Sequence, residues 1–408
     1  MKTLLHSPMK ILTDVIRSPY RIVTRLSEQK NKRNYNRHAL MNCISDMNKA
    51  GITTITVIVL ILFLIVEPST TGSYSTNMLT KFNPVLATTD SEGNTGESSS
   101  PASTSTAWNN GASSPTPKME SAYTAIGDKI YIIAGYGETG KRNKNSVEVY
   151  DVKTDAWTTA APVPVNLNHA AAAALDGKIY LVGGYLDNKI PSNKLFIYDP
   201  ATDAWQEGKP MPTARAALTA QFIGNVLYAV GGTDDNNPLT VNEAYDPATA
   251  TWTSKANMPT PRQHMASGVV DDILYVIGGR PKGKSSNIDN NEAYDSNTDT
   301  WTAKTPMPTP RGGIAAATAP SSGVIYVFGG EAPEKTFDNT EIYNPSTDTW
   351  TSGPSMPIAR HGLAATDIGD KVYVIGGGPE PDISFANVVE ILNVGSNSVN
   401  TGTGGTPS

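Results

Sequence analysis

The 408-residue chain holds one cysteine, Cys43, and none after it. Everything C-terminal of that position is therefore without disulfides, cysteine-ligated metals or a cysteine nucleophile. Basic residues are also scarce beyond the N-terminus. Residues 1–50 carry ten of the 32 Lys/Arg and three of the 38 Asp/Glu, leaving 22 basic against 35 acidic residues, a net of about −13. A surface of that sign excludes nucleic acid as a partner, because phosphate binding needs a basic face. No Asn-x-Ser/Thr acceptor occurs, since Asn344 is followed by Pro345. Nucleotide-cradling loops and nucleophile motifs are missing as well, so no cofactor is expected.

Long apolar runs are missing too, with one exception. Gly51 to Val66 has no charge and ends in Val57-Ile-Val-Leu-Ile-Leu-Phe-Leu-Ile-Val66. A helix of that length spans about 24 Å, somewhat short of a bilayer core, and Lys49 can snorkel to extend it. The expected organisation is a basic cytoplasmic tail over 1–50 and a transmembrane or signal-anchor helix over 51–67. A Ser/Thr-rich flexible stalk over 68–105 follows, then a folded body over 106–394 and a flexible tail over 395–408. Basic residues precede the apolar run, so the positive-inside rule puts the body on the extracytoplasmic side of a cell membrane. Secretion after signal cleavage is the alternative, with Met47 to Ser73 as the signal peptide.

What the body does have is a repeat. Trp108, Trp157, Trp205, Trp252, Trp301 and Trp350 recur at a period near 48. Tyr131, Tyr180, Tyr228, Tyr275, Tyr326 and Tyr373 each stand three residues before a glycine pair, with Ala134-Gly135 as the variant pair. Each unit reads as four short strands. Turns such as Asp176-Gly177 and Gly369-Asp370 suit hairpins, and Asp199-Pro-Ala-Thr-Asp203 suits a tight turn. Short, evenly spaced strands in six units predict six four-stranded antiparallel sheets around an axis, which hides most strand edges.

The order Gly-Gly, Tyr-Asp-Pro, Trp and Met-Pro-x-x-Arg resembles the kelch family over residues 106–394. The resemblance implies an all-β, six-bladed kelch β-propeller, and it implies little about activity. The units also say how the ring closes. Trp108 precedes the first glycine pair, and the last unit has Glu390-Ile-Leu-Asn393 but no tryptophan after it. The strand near Trp108 is therefore expected to complete the sixth blade.

A second pattern runs through the units. A basic residue opens the first strand in five of six (Lys118, Arg215, Arg262, Arg311, Arg360), and Glu lies on the third strand in the same five (Glu148, Glu243, Glu292, Glu341, Glu390). Unit two has Leu167 and Phe196 instead. Joint presence and joint loss point to an ion-pair staple within each blade. Glycines without Cβ atoms between the two strands would let the arginine across. The rival is a ring of arginines for an anionic ligand.

Variation concentrates at one end of the units, where scaffold proteins place function. Tyr136, Tyr185, Thr233, Arg280 and Glu331 follow the glycine pairs, and His169, His264 and His361 lie near the same end. These eight residues are the candidate contacts for a protein or glycan ligand. Three histidines can hold a metal. His361, however, is one position out of register with the other two, which turns its side chain away, so no metal site is expected.

Among enzymes the resemblance brings to mind, copper radical oxidases need a Cys–Tyr crosslink that this body cannot make. Specifier proteins show Glu-x-x-x-Asp-x-x-x-His, where Glu334 and Asp338 are followed by Ile342. Sialic-acid mutarotases are the alternative reading, with Arg280 and Glu331 as candidate sugar-binding and proton-transfer groups. A structural envelope protein is a further alternative. The leading expectation is an extracytoplasmic recognition module.

Overall fold

The computed structural model describes residues 107–394, apart from 138–141 and 320. The tail 1–50, the apolar segment 51–67, the stalk 68–105 and the tail 395–408 lie outside the described residues. Among the described residues no helix is long and apolar enough to cross a membrane.

Six four-stranded antiparallel sheets form the blades. Their innermost strands are Ala122–Ile126, Ala171–Leu175, Thr219–Ile223, Ala266–Val270, Ala315–Ala319 and Ala364–Ile368. Blade four shows the common plan: Ala266–Val270, Ile273–Ile277, Asn291–Asp295 and Thr300–Lys304, paired in that order. The inner strands are rich in alanine because six of them converge on the axis, where large side chains would collide. The second strands, such as Lys178–Val182, are buried on both faces between neighbouring blades and read as continuous apolar runs.

The ring closes through the two ends of the described chain. Trp108–Gly111 pairs antiparallel with Val389–Asn393, Trp108 opposite Leu392 and Gly111 opposite Val389. The first-arriving strand thus becomes the outermost strand of blade six.

All six tryptophans clasp one blade to the previous one. Nε1 of Trp157, Trp205, Trp252, Trp301 and Trp350 donates to a carbonyl leaving the preceding blade, at 2.7–2.9 Å. Trp108 does the same to Pro354 at 3.1 Å. A turn aspartate adds a second clasp in four blades. Asp155, Asp203, Asp299 and Asp348 each accept from a tyrosine hydroxyl of their own blade. Each also accepts from a backbone N–H of the preceding blade. These aspartates sit at φ near +50°, and blade three has Ala250 at φ 51° in the same place.

The charged pairs fall inside the blades. Arg215–Glu243 is 2.6 Å, Arg262–Glu292 2.5 Å, Arg311–Glu341 2.5 Å, Arg360–Glu390 2.9 Å and Lys118–Glu148 3.3 Å. All four arginines are 0% exposed, which removes them as a ligand-facing ring. A threonine two residues before the arginine takes the other carboxylate oxygen in three blades, as Thr260 does on Glu292 at 2.6 Å. Leu167 and Phe196 fill the same place in blade two, buried at 1% and 2%.

The glycine pairs serve a different purpose from clearing a path for the arginine side chain. A Cβ on Gly183 would stand 2.6 Å from the carbonyl of Arg215 in the next blade, and one on Gly184 would stand 2.8 Å from the carbonyl of Asn168. The Gly184 amide donates to that Arg215 carbonyl at 3.0 Å. Backbones cross here too closely for a side chain. Each arginine therefore fastens its own blade by its guanidinium and the previous blade by its carbonyl.

Candidate binding face

The strand directions put the inter-blade connections and the loops after the glycine pairs at one end of the ring, around the mouth of an axial channel of about 650 Å³. The mouth is a closed circle of backbone. Glu120, His169, Ala217, His264, Gly313 and Gly362 occupy one equivalent position in blades one to six. The N–H of each donates to the carbonyl of the one before, and Glu120 donates to Gly362, over 2.8–3.1 Å. All six have φ between +51° and +70°, the left-handed region that is costly for every residue but glycine.

Three of the six carry functional side chains, and these meet. Glu120, His169 and His264 each offer a ligand atom, all within 4.8 Å of one another. His169 Nε2 lies 3.5 Å from Glu120 Oε2, and the two imidazoles stand 4.9 Å apart, edge to face. His169 Nδ1 is hydrogen-bonded to Asn168 Oδ1, which can only accept, so the nitrogen facing Glu120 is the one without the proton. Burial pushes the Glu120 carboxyl up, against the pull of His361 and Arg280. It also lowers His169 to about 3, with Arg280 adding to the effect. His264 falls well below the ordinary range for the same two reasons.

Tyr136 and Tyr185 flank His169, each with its ring centre 5.7 Å from the imidazole. Tyr185 reaches Asp235 in the next blade at 3.3 Å. The other four candidates are buried, and their polar groups hold loops instead of facing a ligand. Thr233 donates to the Asn237 carbonyl at 2.9 Å, closing its own loop. Arg280 and Glu331 form an ion pair of 2.9 Å between blades four and five, which occupies both groups proposed for sugar chemistry. His361 is 1% exposed and turned beneath blade six, with Nε2 3.1 Å from the Glu380 carbonyl. Its offset register leaves Gly362 as the blade-six residue of the mouth circle, and the third functional side chain there is Glu120 of blade one. Glu120 escaped the search for histidines, although it is two residues past Lys118, as His264 is two past Arg262.

Compared with known families, residues 120–307 and 269–403 match the model of the KLHDC2/KLHL20/DRC7 Kelch-repeats domain. The chain belongs to the Kelch-repeat family. No curated protein matches it.

In this Kelch propeller the large exposed apolar side chains among the described residues are Ile190, Ile358 and Ile383, 55%, 38% and 44% exposed. All three lie at the mouth end. Ile190 and Ile383 follow the glycine pairs of blades two and six, and Ile358 is in the connection into blade six. Ile190 also borders a groove of about 470 Å³ with Val165 and Leu186. The groove lies beside the one blade of the Kelch ring that has an apolar staple.

Proposed function

We propose that this Kelch propeller is a recognition module that takes a protein partner on the end carrying the channel mouth. The reading rests on one observation: Ile190, Ile358 and Ile383 are all at that end. The opposite end consists of repeated polar hairpin turns. Apolar side chains exposed on loops above a rigid frame suit a protein surface better than a sugar, and they lie among charged loop residues that set orientation. Lys284 and Asp382, 2.5 Å apart, join the loops of blades four and six on this face.

The module is carried on the extracytoplasmic side by residues 51–67. The basic residues before that segment support this orientation. Two experiments test the reading. A photo-crosslinking amino acid at Ile190 or Ile383 should trap a protein in cells, whereas one at Asp176 or Asp272, in the opposite turns, should not. Crosslinks of equal yield from both ends, or to glycan alone, would overturn the protein-recognition reading. A membrane-impermeant maleimide should leave Cys43 unlabelled in intact cells and label a Thr202→Cys variant; the reverse pattern would overturn the orientation.

A further inference from the structure

The mouth circle contains a puzzle that partner recognition does not address. Glycine is the unstrained residue at this position, and blades five and six have it, as Gly313 and Gly362. Blades one, two and four instead hold Glu120, His169 and His264 at φ 51°, 52° and 57°. A non-glycine residue in that region is strained, and Ala217 of blade three, at φ 51°, bears the same strain without a functional side chain. The three strained residues with functional side chains are the same three whose ligand atoms converge.

We propose that Glu120, His169 and His264 bind one divalent transition-metal ion, with zinc as the reference ion, at the mouth of the channel. The donor set is two imidazoles and a carboxylate, a combination that suits such ions. Three atoms within 4.8 Å of one another share a point no more than about 2.8 Å from each, so the side chains close by less than about 1 Å to reach bonding distance near 2.0–2.2 Å.

The surroundings fit a ligand set. Asn168 is buried and holds the far nitrogen of His169, while Tyr136 in turn bonds to Asn168. An acceptor on the nitrogen away from the metal fixes the tautomer of a metal-binding histidine. His264 Nδ1 is buried without a hydrogen-bond partner. Arg280 is the cation facing the cluster, and Glu331 pairs with it at 2.9 Å. His361 lies beside Gly313 of the mouth circle, its Nδ1 3.7 Å from the Glu331 carboxylate.

Three protein ligands leave at least one coordination position open towards the channel. An oxygen or nitrogen donor, from water or from a bound molecule, completes the set. This inference is independent of the partner-recognition reading.

Titration calorimetry of the full-length chain with zinc chloride at pH 7.5 tests it, and glycine variants keep the test clean. His169→Gly and His264→Gly place at the mouth the residue that blades five and six already use, so both should fold and unfold no lower than wild type without metal. Wild type should bind one zinc per chain with Kd at or below about 1 µM, and zinc should raise its Tm. Either glycine variant should weaken binding about 100-fold, and Glu120→Gln and Asn168→Ala about tenfold, while His361→Gln should leave it unchanged. X-ray absorption should show two imidazole nitrogens on the zinc. No saturable binding up to about 1 mM, or affinity undiminished in folded His264→Gly, would overturn the proposal.

Discussion

Blade two provides a natural template for testing what the buried arginines do. In blade four, Arg262 is fully buried and Glu292 is 3% exposed, with Nη1 and Oε2 2.5 Å apart. Removing the arginine strands a carboxylate in the interior with the Thr260 hydroxyl on its other oxygen. Removing one partner of a buried pair costs about 3–5 kcal/mol. Glu292→Ala falls at the lower end of that range, because Arg262 keeps the Thr260 and Val276 carbonyls at 3.1 and 2.9 Å. Arg262→Leu combined with Glu292→Phe copies the Leu167 and Phe196 of blade two. That swap removes both charges and refills the space, so it should cost no more than about 2 kcal/mol. For a chain of this size about 1 kcal/mol shifts Tm by roughly 2–4 °C. Each single alanine variant should therefore melt about 6–20 °C lower, and the apolar swap within about 8 °C of wild type. Circular dichroism and calorimetry on the full chain read both numbers. The alanine double-mutant cycle should give a coupling of at least about 2 kcal/mol. Additive single losses, or a swap as damaging as a single alanine, would refute the pairing argument.

Three further outcomes follow from the frame. Deleting residues 107–112 removes the fourth strand of blade six and the Trp108–Pro354 bond, and should lower Tm by more than 10 °C, roughly; an unchanged Tm would contradict closure through that strand. Ala250→Asp restores the missing turn clasp of blade three at a φ of 51°, and the new hydrogen bonds should add about 1 kcal/mol, read as a Tm rise of about 2–4 °C. Asp367 on the inner strand of blade six is raised from 3.8 to about 6 by burial. Folding thus favours its protonated form, so its contribution is most favourable below pH 3.8 and declines as pH rises towards about 6. Asp367→Asn should remove that decline and stabilise the protein by about 1–2 kcal/mol above pH 7, after allowance for its partial exposure, with no gain near pH 4.

The frame was legible because its constraints repeat. A tryptophan that must reach the preceding blade's carbonyl recurs at the blade period, and a strand missing from one end is visible as Trp108 without a glycine pair before it. The Arg–Glu pairs could be read from their joint absence in blade two. The reason for the glycines could not, because the approaching carbonyl, such as that of Arg215 on Gly183, belongs to the next unit. Single-residue chemistry at the mouth was harder still. Thr233, Arg280, Glu331 and His361 read as surface groups because loops are polar, yet the loops fold back and bury them. Glu120 was hidden by its type, since only the register shared with His169 and His264 marks it.

The six blades form a common frame, and partner binding is proposed for the mouth end. With the partner trapped at Ile190 or Ile383 in hand, its affinity should be measured against Ile190→Asp, Ile383→Asp and, from the opposite turns, Asp176→Lys and Asp272→Lys. Each isoleucine variant should lose at least about tenfold in affinity, and the two turn variants should bind as wild type. Equal losses at both ends, or loss at the turns alone, would contradict binding at the mouth end.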